Sequence, residues 1–271
     1  MSKRMRIEYD LDKFHSSTSS FREYEEKGMR IMIQPTNDAS MVFHTNNHDD
    51  MTLQHLILES FDQGKTIMYV PSAEDGLTRE QRRFLTKLRL VLINNHLNSN
   101  VPHCEGFVDD LMMFLCEQAG MDDGLDLTMQ TCYLRLSVGD EEFAAIADKE
   151  GRRGLELTWL LQEDKHRQSS SYKHGDVQLA CAMIAAIQKN YNEFGMICPK
   201  IMMGLKCVGD TIYFCSMEPT QAYVEALYNG LPTTDEVVMY RFPERGFTLS
   251  IPDERKEGLK YLSMLRREAM K

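Results

Sequence analysis

The run DVQLACAMIAAIQKNY (176–191) reads as a long, strongly apolar helix with Asp176 as its N-cap, and both of its neighbours read as strands. Before it, LELTWLLQEDK (155–165) is an apolar strand that ends in charge. After it, IMMGLKCV (201–208), a Gly-Asp turn and TIYFCSM (211–217) form a hairpin, since Gly-Asp suits a two-residue turn. An apolar helix between strands must be buried against a sheet. The fold class is therefore α+β (α/β mixed), a central mixed sheet with helices on both sides.

The remaining segments fit this class. GFVDDLMMFLCEQAG (106–120) is an amphipathic helix closed by Gly120, and TCYLRLSV (131–138) is an alternating strand. EFAAIAD (142–148) is a strand joined through a KEGRRG loop to the strand 155–165. Beyond the hairpin come a helix in TQAYVEALYNG, a strand in VVMYRF and a terminal helix opened by Pro252. Residues 1–28 are polar and are expected to be flexible or loosely attached. Residues 29–100 read as a small α/β subdomain with a strand at 29–34, a helix at 49–61, a strand at 65–70 and a helix from the Thr78/Gln81 capping box to about His96. The polar NSNVPH (98–103) is the expected boundary, with the main domain over 101–271.

Composition removes several classes. The 41 acidic and 31 basic side chains leave a formal charge of −10. That argues against a surface coated in positive charge to hold DNA or membrane, though not against a locally basic cleft. No apolar run approaches the ~20 residues of a bilayer-spanning helix, and MSKRMRIEYD has no signal-like apolar core. The 7 cysteines form an odd set without a CxxC pair and lie in apolar stretches, so buried reduced thiols in the cytosol or nucleus are expected. His103, Cys104 and His166 lack the paired spacing of a structural zinc site. No phosphate-loop, dinucleotide, HExxH or GxSxG motif occurs.

The chemistry concentrates at the end of the strand 155–165. Side chains alternate along a strand, so Glu163 and Lys165 share one face and Asp164 takes the other. Charges here also suit a strand that simply leaves the core. A hairpin through KEGRRG that sets Asp148 opposite Leu155 brings Asp140 across from Glu163 and Glu142 across from Leu161, with Ala144 against Trp159. Asp148 is then the weakest partner, ~26 Å from Glu163 along the strands. Paired carboxylates beside a lysine suit a hard cation, Mg²⁺ or Mn²⁺, which activates water and polarises a phosphate. Gln178 stands in the first turn of the following helix, and the loop between carries Lys165, His166, Arg167 and Lys173, where an anion is welcome.

These residues together resemble the PD-(D/E)xK nuclease superfamily. Within it, LLQEDK…GDVQLACAMIAAIQKN is similar to nuclease-like domains of fungal and Crinkler-type proteins, in which an E-x-K strand precedes a glutamine-bearing helix. The resemblance covers residues 105–217. It implies a restriction-endonuclease-like core αβββαβ and metal-dependent hydrolysis of DNA or RNA. Glu163 would be a metal-binding acid, Lys165 the catalytic lysine and Gln178 an orienting residue. Glu117 matches an extra helix-borne acid of some members, and Asp140 or Glu142 would be the first metal acid. His166, Arg167 and Lys173 would meet the substrate. The proline-aspartate of the superfamily is missing. The alternative is a catalytically silent module of this fold that binds a protein partner or nucleic acid, with no membrane involved.

Overall fold

The computed structural model of the chain describes residues 9–44, 52–95, 104, 106–164 and 175–271. Seven α-helices and nine strands occur among them: α1 Glu23–Gly28, β1 Ile31–Pro35, α2 Gln63–Met68, α3 Arg79–Asn95, α4 Gly106–Gln118, β2 Thr128–Thr131, β3 Leu134–Val138, β4 Glu141–Ala145, β5 Lys149–Arg153, β6 Glu156–Asp164, α5 Gly175–Phe194, β7 Met202–Val208, β8 Thr211–Met217, α6 Gln221–Tyr228, β9 Val237–Thr248 and α7 Pro252–Ala269. Seven strands make one mixed sheet in the order β1-β9-β8-β7-β6-β5-β2, while β3 and β4 form a separate hairpin. The pairs β6/β7 and β1/β9 are parallel and the other pairs antiparallel.

Two parallel neighbours cannot be joined by a tight turn, so the chain leaving β6 must cross over the sheet before β7. Helix α5 makes that crossover, with Leu179, Met183 and Ile187 fully buried. Strand alternation divides the core into two layers. Trp159, Leu161, Met203, Leu205 and Phe214 pack with α3, α4 and α7, whereas Leu160, Met202, Cys215 and Met217 pack with α5 and α6. Helices thus cover both faces, as the composition of these segments predicts.

Several local expectations give way to tertiary contacts. The strand expected at 65–70 is helical: the Asp62 carboxylate accepts the Lys65 N–H at 2.8 Å and caps α2. The helix expected over 49–61 is reduced, within the described residues, to a 3₁₀ turn at Gln54–Leu56. The cause is Arg255, whose side chain is fully buried and donates to the carbonyls of Ile57, Leu58 and Phe61. A guanidinium that takes three carbonyls from one segment removes them from helical use. The capping box is present, with Thr78 and Gln81 exchanging backbone and side-chain bonds at 2.8 and 3.2 Å.

Residues 9–28 are ordered rather than loosely attached. Phe21 is fully buried, and both it and Phe14 meet Phe143 of β4 edge-on or tilted at 5.4 and 5.8 Å. The small α/β unit read over 29–100 shares its sheet and core with the rest: β1 lies beside β9, and Phe84, Leu85 and Leu88 of α3 join α4 and α7 in one apolar layer. The boundary read at 98–103 falls outside the described residues. No helix among the described residues is long and apolar enough to cross a membrane.

Candidate functional site

The KEGRRG segment, expected as a loop, is strand β5. Its turn is Gly154-Leu155, with Gly154 at φ 62°, and Arg153 stands opposite Glu156. Two-residue turns need a positive φ that glycine supplies without strain. From there the ladder runs to Gly151 opposite Trp159 and Lys149 opposite Leu161. This register replaces the one that put Asp148 opposite Leu155.

The consequence falls on the candidate acids. Asp148, just before β5, donates its backbone N–H to the Leu161 carbonyl at 2.9 Å, and its Oδ2 accepts from Gln162 Nε2 at 3.4 Å. It therefore flanks the end of β6, one residue along the ladder from Glu163. Asp140 and Glu142 do not reach β6. Asp140 occupies the β3–β4 turn, whose Gly139 N–H donates to the Leu227 carbonyl of α6 at 2.7 Å. Glu142 is exposed and pairs with Arg135 across that hairpin at 3.3 Å. Strands β3 and β4 pair with each other, which is why neither acid faces Glu163.

Gln178 lies where helix and acid meet. Its Nε2 donates to the Ile146 carbonyl at 3.1 Å, tying the first turn of α5 to the stretch that enters Asp148. Glu117 is exposed near the end of α4, the helix on the opposite sheet face from α5. Glu163 lies on β6 with Cys207 as its β7 neighbour. Lys165, His166, Arg167 and Lys173 fall outside the described residues.

A polar row missed by sequence reading continues across the sheet. Gln162 neighbours Lys206 of β7, which neighbours Tyr213 of β8. Lys206 is almost fully buried, and its Nζ meets Asp176 Oδ1 at 3.0 Å. The other oxygen of Asp176 pairs with Arg241, whose guanidinium sits 5.3 Å over the Tyr213 ring. Asp176 thus acts as an ion-pair hub as well as a first-turn acid. The sequence signal was the lone lysine in the otherwise apolar IMMGLKCV. At the rim of this row opens a cleft of about 480 Å³ lined by Val208, Thr211, Tyr213, Arg245, Thr248 and Glu254. Val208 is the ladder neighbour of Asp164, so the cleft lies at the same end of β6 and β7 as the candidate acids.

No protein-family model matches the chain, and no curated protein matches it. Chemically, the described residues at this end of β6 offer a carboxylate from Asp148, an amide from Gln162, the buried ammonium of Lys206 and the part-buried guanidinium of Arg241. Among the described residues no three His, Cys, Asp or Glu side chains gather around one point.

Proposed function

We propose that the chain is a metal-dependent nuclease of the PD-(D/E)xK type that hydrolyses phosphodiester bonds of DNA or RNA. The observation that carries this reading is the β5–β6 register. It sets Asp148, just before β5, beside Gln162 at the end of β6, next to Glu163, the acid of the E-x-K sequence. The element order supports it as well. Taking the β3–β4 hairpin as an insertion, α4, β2, β5, β6, α5 and β7 run as αβββαβ, with β2, β5, β6 and β7 adjacent in the sheet.

Asp148, from the Gln162 face, and Glu163, from the other face of β6, would meet Mg²⁺ or Mn²⁺ around the end of that strand, because hard carboxylate oxygens suit hard cations. When bound, the ion would lower the pKa of water and neutralise phosphate charge. The chain's own groups do the rest. Lys165 offers a cation to the developing charge, Gln178 fixes the approach to Asp148 through Ile146, and Gln162 orients the Asp148 carboxylate. Lys206 and Arg241 hold positive potential under the same end of the sheet.

A second reading, a silent module that binds a protein or nucleic acid, draws on two features. Asp148 follows Ala147 where the superfamily has proline, and the residue opposite it is the amide Gln162. The deciding experiment incubates the purified chain with labelled DNA and RNA in Mg²⁺, Mn²⁺ or EDTA. Cleavage that needs the metal and disappears in Glu163→Ala and Lys165→Ala is expected. Absence of cleavage on every substrate, or cleavage unaltered in both variants, leaves the silent module.

A further inference from the structure

The sheet face opposite α5 carries a second charged feature. Helix α3 buries Phe84, Leu85, Leu88, Val91 and Leu92 and turns Arg79, Arg82, Arg83 and Lys87 the other way. Residues three and four apart share a helix face, so these four form one stripe. They line a cleft of about 360 Å³ against α4, on a chain whose formal charge is −10.

Its internal compensation is partial. Arg82 is held by Asp75 at 3.0 Å and by the Ser72 carbonyl, and Lys87 pairs with Asp110. Arg79 and Arg83 are exposed and have no carboxylate partner among the described residues. The Arg83 guanidinium stacks 4.9 Å over the Phe114 ring. Stacking on a buried ring holds the guanidinium in place on an exposed residue. The stripe is therefore preorganised on a helix anchored in the core.

We infer that this α3–α4 cleft binds the phosphate backbone of a nucleic-acid strand without reading its sequence. Three of the four cations are arginines, whose planar fork matches phosphate oxygens in pairs. From Arg79 to Lys87 the helix rises ~12 Å, and a duplex strand carries one phosphate per ~3.4 Å of axis, so about three phosphates fit the stripe. An acidic chain offers such a strand few other landing places, which concentrates binding here. The inference goes beyond the nuclease proposal, because it concerns the other sheet face and needs no cleavage.

The test uses the full chain in EDTA, with a fluorescein-labelled oligothymidine of about 20 nucleotides followed by anisotropy from about 50 to about 200 mM NaCl. Each single-strand phosphate contact contributes about 0.7 to the slope of log affinity against log salt. Arg79→Ala/Arg83→Ala should therefore lower that slope by about 1.4 and weaken low-salt binding at least about tenfold. Lys189→Ala/Lys256→Ala removes the same charge from exposed sites elsewhere and should leave the curve in place. An unchanged curve in the arginine variant overturns the inference, and so does an equal loss in the lysine control. Polyglutamate of equal length binding as tightly at Arg79 and Arg83 also overturns it, in favour of an acidic polypeptide. Oligonucleotide binding lost with these arginines in a chain that cuts nothing sinks the nuclease proposal alone. Cleavage together with an unaltered arginine-variant curve sinks this inference alone.

Discussion

Gly151 lies across the β5–β6 ladder from Trp159 so closely that a Cβ placed on it would stand 1.8 Å from the indole nitrogen. Trp159 is fully buried and cannot swing into solvent. Gly151→Ala must therefore move a strand or an indole, and it should destabilise the fold by about 3 kcal/mol, the upper range for overpacking. Urea denaturation measures this through a shifted midpoint at constant slope. Trp159→Phe in the same chain should recover part of the loss, because the two side chains compete for one space. A neutral Gly151→Ala would contradict the register itself.

That register also ranks the acids. Asp148→Asn keeps an acceptor for Gln162 and should fold normally, and on the proposed nuclease reading cleavage should fall to background with the loss of one proposed carboxylate ligand. Asp140→Ala and Glu142→Ala should cleave like wild type. Glu142 gives up only an exposed ion pair with Arg135, worth about 0–1 kcal/mol. A single-turnover assay in Mn²⁺ compares the three variants directly. A dead Asp140→Ala beside an active Asp148→Asn would return the metal to the β3–β4 hairpin.

Much of the sheet was legible because β6, β7, β8 and α5 state their burial in apolar alternation and apolar length. Ala144, expected opposite Trp159, instead pairs with Arg135 in the β3–β4 hairpin, and Gly151 lies opposite Trp159. The difference lies at one turn. KEGRRG is charged and bracketed by glycines, so it reads as a loop, whereas only Gly154-Leu155 turns. Period-two alternation turns a shifted register into a different set of neighbours, and Asp148 changed from the remotest acid to the nearest. Segments 49–61 and 65–70 depart from their local sequence pattern for another reason. Their conformation depends on Arg255 and on the Asp62 cap, and a partner about 200 residues away leaves no local periodicity. Lys206 and Asp176 were visible as single charges, but their pairing required β7 to lie beside β6 under α5.

The Asp176 hub gives a stability prediction. Lys206 and Arg241 share its two oxygens, and the Lys206 side chain is 3% exposed. Removing one member of a buried ion cluster leaves charge uncompensated, so Asp176→Ala should cost about 3–5 kcal/mol. Lys206→Met should cost less, since Asp176 keeps Arg241. Combining Lys206→Met with Asp176→Leu should recover much of the single-variant loss, because apolar replacement of a buried pair is often close to neutral. Chemical denaturation of the three variants decides this. An Asp176→Ala chain as stable as wild type would mean that the cluster is solvated.

The acid limb of stability should carry the mark of Asp123. Its Oδ1 accepts the N–H groups of Leu125, Asp126 and Leu127 at 2.9, 2.9 and 3.0 Å, and Oδ2 meets Arg266 at 3.1 Å. The backbone donors, from Leu127 first and then Leu125, with Arg266 adding to them, pull its carboxyl down to about 2. In the unfolded chain the same group titrates near about 3.9. Above that value Asp123 is charged in both states, and its contribution is complete. As the pH falls, the unfolded chain takes up the proton first, so stability drains away until the folded carboxyl also protonates near pH 2. The gap in melting temperature between wild type and Asp123→Ala should accordingly stay constant from about pH 8 to about pH 5, then narrow below about pH 4. A gap of the same size at pH 2 would show that the Asp123 loop is held by packing rather than by its charge.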